Sequence, residues 1–223
     1  MSHKNLKTVV YCNALRYSEN IAEDWDFLWK EFGNTRLATE QATILPALGC
    51  TTDKTILTDY LHKSINTTTG IRPQDALSVF SAVYSSNPEG VDIALEFLIE
   101  HHNKISDYYG TMNSLSSLIT GLGNRFTRQE QIDKLKNFID TTTDLPESLK
   151  TSAQIALDTA AANLKFITKF ENELRTYFKV ESTTTTTTPV STTTTTVTTT
   201  TDNSNSALSL EVQVTLYLSV HYQ

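Results

Sequence analysis

The stretch Tyr11–Leu61, YCNALRYSENIAEDWDFLWKEFGNTRLATEQATILPALGCTTDKTILTDYL, decides the fold. It holds both cysteines, Cys12 and Cys50, and both tryptophans, Trp25 and Trp29. Trp25, Leu28, Trp29 and Phe32 recur at spacings of three and four, the neighbour spacing on one helix face. That face concentrates the largest apolar side chains of the segment. Each cysteine sits in an apolar helical context, Val9-Val10-Tyr11-Cys12 and Leu45-Pro46-Ala47-Leu48-Gly49-Cys50. From the residues alone three readings stand: a structural disulfide, two buried thiols, or reactive thiols, because separation along a chain carries no geometry. A bridge would clamp two helices around the tryptophan helix. The absence of C-x-x-C argues against redox catalysis.

Working outward, helical signals continue on both sides. Leu6, Val9, Val10, Ala14 and Tyr17 lie on one face of a helix over 6–18. Asn20 with Glu23 reads as a capping box for the tryptophan helix, which Gly33-Asn34 ends. A third helix runs from Thr35 or Arg36 to Leu48, with Pro46 expected to kink or stop it. Thr51 or Thr52 caps a fourth that continues to Ile65. Pro73 suits a first helical turn, and its helix is expected to reach Tyr84. After the Asn87-Pro88 turn come helices over 89–109, 114–122 and 127–140, the last opened by a Thr127/Glu130 capping box. A long final helix runs from Glu147 to about Lys179. Nothing before residue 180 alternates as a strand does. Successive helices with short connections predict an all-α fold, an α-solenoid of armadillo/HEAT-like helix pairs, with an irregular helical bundle as the alternative.

Composition agrees. The apolar fraction of 39% supports a core, and only 7 Gly and 5 Pro argue against a turn-rich sandwich. The first 180 residues hold all 18 Lys and Arg and 22 of the 25 Asp and Glu. That acidic balance argues against a nucleic-acid partner. No apolar run is long enough to span a bilayer, and the N-terminus MSHKNLKTVVYC lacks a secretory apolar core.

The end of the chain differs in kind. From Thr183 to Thr201, 15 of 19 residues are Thr, with Pro189 and two Val among the exceptions. Such a tract has no large side chains to offset its ordering entropy and reads as a disordered, mucin-like stalk. The alternative is an unmodified linker. The expected organisation is therefore a helical domain over 1–180, a Thr-rich stalk over 181–206 and an apolar segment over 207–223. Asn203 and Ser204, small residues before that segment, are candidate attachment residues for a lipid (GPI) anchor. Against that reading, Leu208 to Val220 alternates with the period of a strand and carries Glu211 and Gln213.

Catalytic signatures are absent. The five histidines make no H-E-x-x-H, and no two lie four apart. His101 and His102 point about 100° apart on a helix and read as a solvated face. Two cysteines cannot make a four-ligand zinc cluster, and there is no phosphate loop or G-x-S-x-G elbow. Asn66-Thr67-Thr68 is an N-glycosylation acceptor in an expected loop.

The stretches VVYCNALRYSENIAEDWDFLWKEF, ATEQATILPALGCTTDKTILTDYL, RPQDALSVFSAVYSSNPEGVDIALEFLIEHHNKISDYYG, SLSSLITGLGNRFTRQEQIDKLKNFI and ALDTAAANLKFITKFENELRTYF are specific. In register over residues 5–180 they resemble the C-terminal helical domain of zinc aminopeptidases of the aminopeptidase N type, and the tail looks like that of insect gut surface aminopeptidases. The resemblance implies a Cys12–Cys50 disulfide. It implies an α-solenoid that closes over a catalytic domain, walls its peptide cavity and supports a homodimer in several members. Arg125, in the helix region 115–126, matches a basic residue that can face the cavity; the alternative is that it pairs a surface acid or caps carbonyls. The zinc site belongs to an earlier domain, so this chain is expected to bind no cofactor and to be inactive alone. The implied function is the cavity-forming and interaction domain of a metalloaminopeptidase, with peptide substrate and the catalytic domain as partners. The implied location is the extracellular surface, the membrane being reached only through the lipid anchor. The alternative is a non-catalytic helical binding module on a glycosylated stalk, a truncated paralogue, which would be cytosolic if Met1 is the true start.

Overall fold

In the computed structural model, residues 6–110 and 112–178 are described. They form nine α-helices: α1 (Lys7–Arg16), α2 (Ile21–Asn34), α3 (Ala38–Leu48), α4 (Lys54–Ser64), α5 (Pro73–Ser86), α6 (Pro88–Tyr109), α7 (Met112–Gly123), α8 (Gln129–Thr141) and α9 (Glu147–Phe178). No strand occurs among the described residues. The Thr-rich tract, the apolar segment after it, Asn203 and Ser204 lie outside them. By its internal contacts the chain divides after Ile167.

In the first unit, helices pack on near neighbours in the chain. The pairs α1–α3, α2–α3, α3–α5, α4–α5, α4–α6, α5–α6, α5–α7, α6–α7 and α6–α8 all touch. The centre is the α5–α6 pair, where Phe80, Val83, Leu95 and Leu98 are fully buried. Its backbones approach closely at Gly90, where a Cβ would lie 2.0 Å from the Val83 carbonyl oxygen. Buried Asn87, between the two helices, donates its side-chain amide to the carbonyls of Gly49 (3.3 Å) and Thr51 (2.8 Å). The α5–α6 turn is thereby tied to the α3–α4 connection.

The tryptophan face behaves as its spacing predicts. Trp25, Leu28 and Phe32 are buried and Trp29 packs against them, stacked 5.6 Å from Trp25. Pro46 does not stop α3, which runs to Leu48. Carbonyls of a last helical turn lack intrahelical partners and need others. Here the indole of Trp25 donates to Leu48 (2.9 Å) and the hydroxyl of Tyr60 to Leu45 (2.8 Å).

Several caps differ from expectation. Asn20 makes no side-chain cap; instead Ser18 donates to Asp24 and accepts the Asn20 N–H. Helix α4 is capped by Asp53, whose carboxylate accepts the Ile56 N–H at 3.0 Å, while Thr51 braces the Asp53 N–H. Before α8, Gln131 rather than Glu130 reaches back, accepting the N–H groups of Thr127 and Arg128. For α4 and α8 the side chain that serves the helix start lies one or two positions from the expected one.

Helix α1 is the larger surprise. The apolar set that defines its expected face lies outward: Leu6, Val9, Val10 and Tyr17 are exposed. The docked stripe is Thr8, Tyr11, Cys12 and Leu15, itself at helical spacing, and Leu15 alone is fully buried. Helix α9 shows a related pattern. Within the first unit its buried stripe is Leu149, Ala153, Ala156 and Ala160, and a Cβ on Gly123 of α7 would meet Ala156 at 2.5 Å. Small residues let the backbones approach, while Ile155 and Phe166 stay exposed.

The second unit's described part is 168–178. Arg175 pairs with Glu171 at 2.8 Å, Lys169 lies over the Phe170 ring, and Tyr177 and Phe178 are exposed.

Candidate functional site

Arg125 lies just after α7, half-buried, with its N–H donated to the Leu122 carbonyl at 2.8 Å. Its guanidinium stands near Tyr84 of α5. Burial raises the Tyr84 phenol above its ordinary range, and the Arg125 charge partly opposes that rise. The Tyr84 hydroxyl occupies the space beside Gly121, 2.4 Å from where a Cβ would sit. A side chain at 121 would therefore displace the tyrosine. Arg125 makes no ion pair with a described acid. Charged guanidinium and neutral phenol together offer N–H donors and one hydroxyl, a set suited to carbonyl or carboxylate oxygens.

Cys12 and Cys50 are joined, with S–S 2.08 Å and Cα–Cα 5.1 Å. The bridge fixes α1 to the end of α3. Around it, Lys7 pairs with Glu40 at 2.7 Å, Tyr11 donates to the same carboxylate at 3.1 Å, and Arg16 donates to the Ser86 carbonyl at 3.0 Å. Lys7 holds the Glu40 carboxyl below the usual range, with Tyr11 adding to the effect.

Asn66 lies exposed in the α4–α5 loop. Its Oδ1 accepts both the N–H (2.9 Å) and the hydroxyl (2.8 Å) of Thr68. This local turn holds the Asn66 carboxamide oxygen against the threonine of the sequon.

His101 and His102 point apart, but they do not form the solvated face expected of them: both are half-buried and packed against neighbouring helices. His102 faces α8, its Nδ1 2.9 Å from the Ile99 carbonyl and its ring against Phe138. His101 faces α4, where its ring centroid lies 4.9 Å from that of His62. Both His62 and His101 rest against the ring of Phe97. Spacing could not reveal this pair, because its members stand on different helices. The signal available was only that His62 and Phe97 each sit near a helix's apolar face. Among the described residues no group of three or more His, Cys, Asp or Glu is arranged to hold a metal. No described helix is long and apolar enough to cross a membrane.

Comparison with known proteins gives a consistent result. The sequence profile of the ERAP1-like C-terminal domain matches residues 2–162. The chain is 32% identical to Aminopeptidase N of Canis lupus familiaris over 182 residues, 81% of this chain and 18% of that protein. It is 30% identical to Aminopeptidase N of Homo sapiens over 182 residues, with the same shares. It is also 28% identical to the thyrotropin-releasing hormone-degrading ectoenzyme of Rattus norvegicus over 171 residues, 76% of this chain and 15% of that protein. The chain thus spans under a fifth of the length of these relatives.

Proposed function

Because the chain belongs to the family of ERAP1-like C-terminal domains, we propose that it serves as the cavity-forming and interaction domain of a zinc metalloaminopeptidase of the aminopeptidase N type. In this reading the helices form a solenoid wall, and hydrolysis takes place in a separate catalytic domain that carries zinc. A metal-bound water would attack the first peptide bond there. Residues 6–178 would supply surface, shape and a few polar contacts. The observation that carries the reading is the match over 2–162. The pairing of helices α1 to α8 with neighbours one or two along the chain supports the solenoid geometry.

Arg125 is the residue assigned to the peptide. It would receive a backbone carbonyl or terminal carboxylate of a bound peptide beside Tyr84. The outward apolar side chains of α1, with Val9 54% and Val10 59% exposed, are assigned to contact with further protein. Asn66 is assigned as a glycan acceptor and the Thr-rich tract as an O-glycosylated stalk at the cell surface, ending in a lipid anchor.

The experiment is to assay the purified 223-residue chain with an aminoacyl chromogenic substrate and added Zn2+. No turnover is expected, and zinc-dependent hydrolysis would overturn the assignment of catalysis to another domain. The alternative, a stand-alone binding module, also predicts no turnover. It is separated by Arg125→Ala in a chain that carries the catalytic domain as well. The proposed role predicts a higher KM for oligopeptides with a smaller change for aminoacyl chromophores. An identical change for both substrates would remove the peptide role of Arg125.

A further inference from the structure

We propose that His62 of α4 and His101 of α6 form a cross-helix chelating pair for a late divalent transition-metal ion of the Zn2+, Ni2+, Cu2+ class. This site is independent of the peptidase reading and lies apart from Arg125. Its basis is geometric. The two helices pack against each other, and the imidazole centroids are 4.9 Å apart with the ring planes tilted by 57°. Two imidazoles on one tetrahedral ion, each nitrogen about 2.0–2.1 Å from the metal, place their centroids about 5 Å apart. The observed centroid separation of 4.9 Å matches that value.

The surroundings favour a fixed pair. Phe97 lies edge-on to both rings, at 4.8 Å from His62 and 4.5 Å from His101. His101 is the one residue inside α6 whose backbone leaves helical geometry, at φ −114° and ψ 15°. Its side chain is 13% exposed while His62 is exposed, so an ion reaches the pair from solvent. Burial lowers the His101 pKa, with smaller contributions from His62 and Lys104 in the same direction and from Glu100 against it.

Two imidazoles leave coordination positions open. Water would fill them, since among the described residues no third His, Cys, Asp or Glu is arranged to join the pair on an ion. Imidazole ligands select late transition ions over Mg2+ and Ca2+. A bound ion would join α4 to α6 and raise stability by mass action.

The test follows the imidazole NMR signals of the full 223-residue chain during titration with Zn2+, and with Mg2+ as control. The expected result is that His62 and His101 signals shift together and saturate at one ion per chain, while Mg2+ leaves them unmoved. His62→Ala, at an exposed position, should weaken binding at least tenfold and abolish the His101 response; His102→Ala should leave both responses intact. The proposal is overturned if Zn2+ to about 1 mM shifts neither signal. It is equally overturned if only His3 or His221 responds, or if His101 still responds in His62→Ala.

Discussion

Helices α5 and α6 are held by the apolar surface they share, whereas α1 is held by a covalent bridge and polar ties. Phe80, Val83, Leu95 and Leu98 are wholly buried between neighbours, and the backbones touch at Gly90. Helix α1 buries one residue, Leu15, and turns Val9 and Val10 to solvent. Its attachment consists of Cys12–Cys50, the Lys7–Glu40–Tyr11 cluster and the Arg16 bond to Ser86. The first region is stable by what it excludes from water. The second is stable by links that salt, reductant or single substitutions can sever.

The comparison breaks most sharply at Phe80. Phe80→Ala removes a ring packed 5.7 Å from Phe97 in a site with no room to refill. It should cost about 3–5 kcal/mol in urea unfolding. A cost near zero would show that α5 and α6 are not the centre. The bridge is next. Cys12→Ser with Cys50→Ser should cost about 2–4 kcal/mol, since the link closes a 38-residue separation. Hydrogen exchange should show the loss first in α1, with α5 and α6 amides still protected. Equal loss in all three helices would contradict the contrast.

These two regions also differ in how far sequence discloses them. The tryptophan helix and the α5–α6 core are legible because large apolar residues recur at helical spacing and are buried where they recur. Helix α1 is not, because its docked stripe mixes Thr8, Tyr11, Cys12 and Leu15, and hydropathy ranks Val9 and Val10 above them. Helix α9 misleads similarly: alanines are buried because close backbone approach leaves no space, as at Gly123 and Ala156. At the candidate site, Arg125 is legible only through family resemblance, and its neighbour Tyr84 belongs to another helix. The His62–His101 pair depends on tertiary packing of α4 on α6, which no spacing rule encodes. The caps of α4 and α8 fail by one or two positions because adjacent polar side chains are alternative acceptors at a helix start, and spacing does not say which of them is used.

Asn87 sits between the two modes, a polar group inside the apolar centre. Asn87→Ala leaves the Gly49 and Thr51 carbonyls without their donor and should cost about 1–3 kcal/mol by thermal unfolding. A neutral outcome would mean that water replaces the amide. On α1, Val9→Ser with Val10→Ser should change stability by no more than about 0.5 kcal/mol, as exposed positions do. Sedimentation should show less self-association than in the parent chain. A large loss of stability would place those valines in the chain's own core.

The smallest expected effect is a slope with pH. His101 packs against His62 and Phe97, and burial lowers its pKa below the ordinary histidine value of 6.5. The unfolded chain therefore takes up a proton at this site before the folded chain does. Stability from this group is present above pH 6.5 and is lost as pH falls through the lower folded value. Glu100 opposes the shift, while His62 and Lys104 reinforce the effect of burial. Replacing the ring by an uncharged side chain, His101→Gln, should flatten the decline in melting temperature between about pH 7 and 5 without removing it, because carboxylates such as Glu40 still titrate below. An unchanged slope would mean that His101 carries its proton equally well in both states. The α4–α6 contact would then be as indifferent to pH as the apolar packing of Phe80, Val83, Leu95 and Leu98.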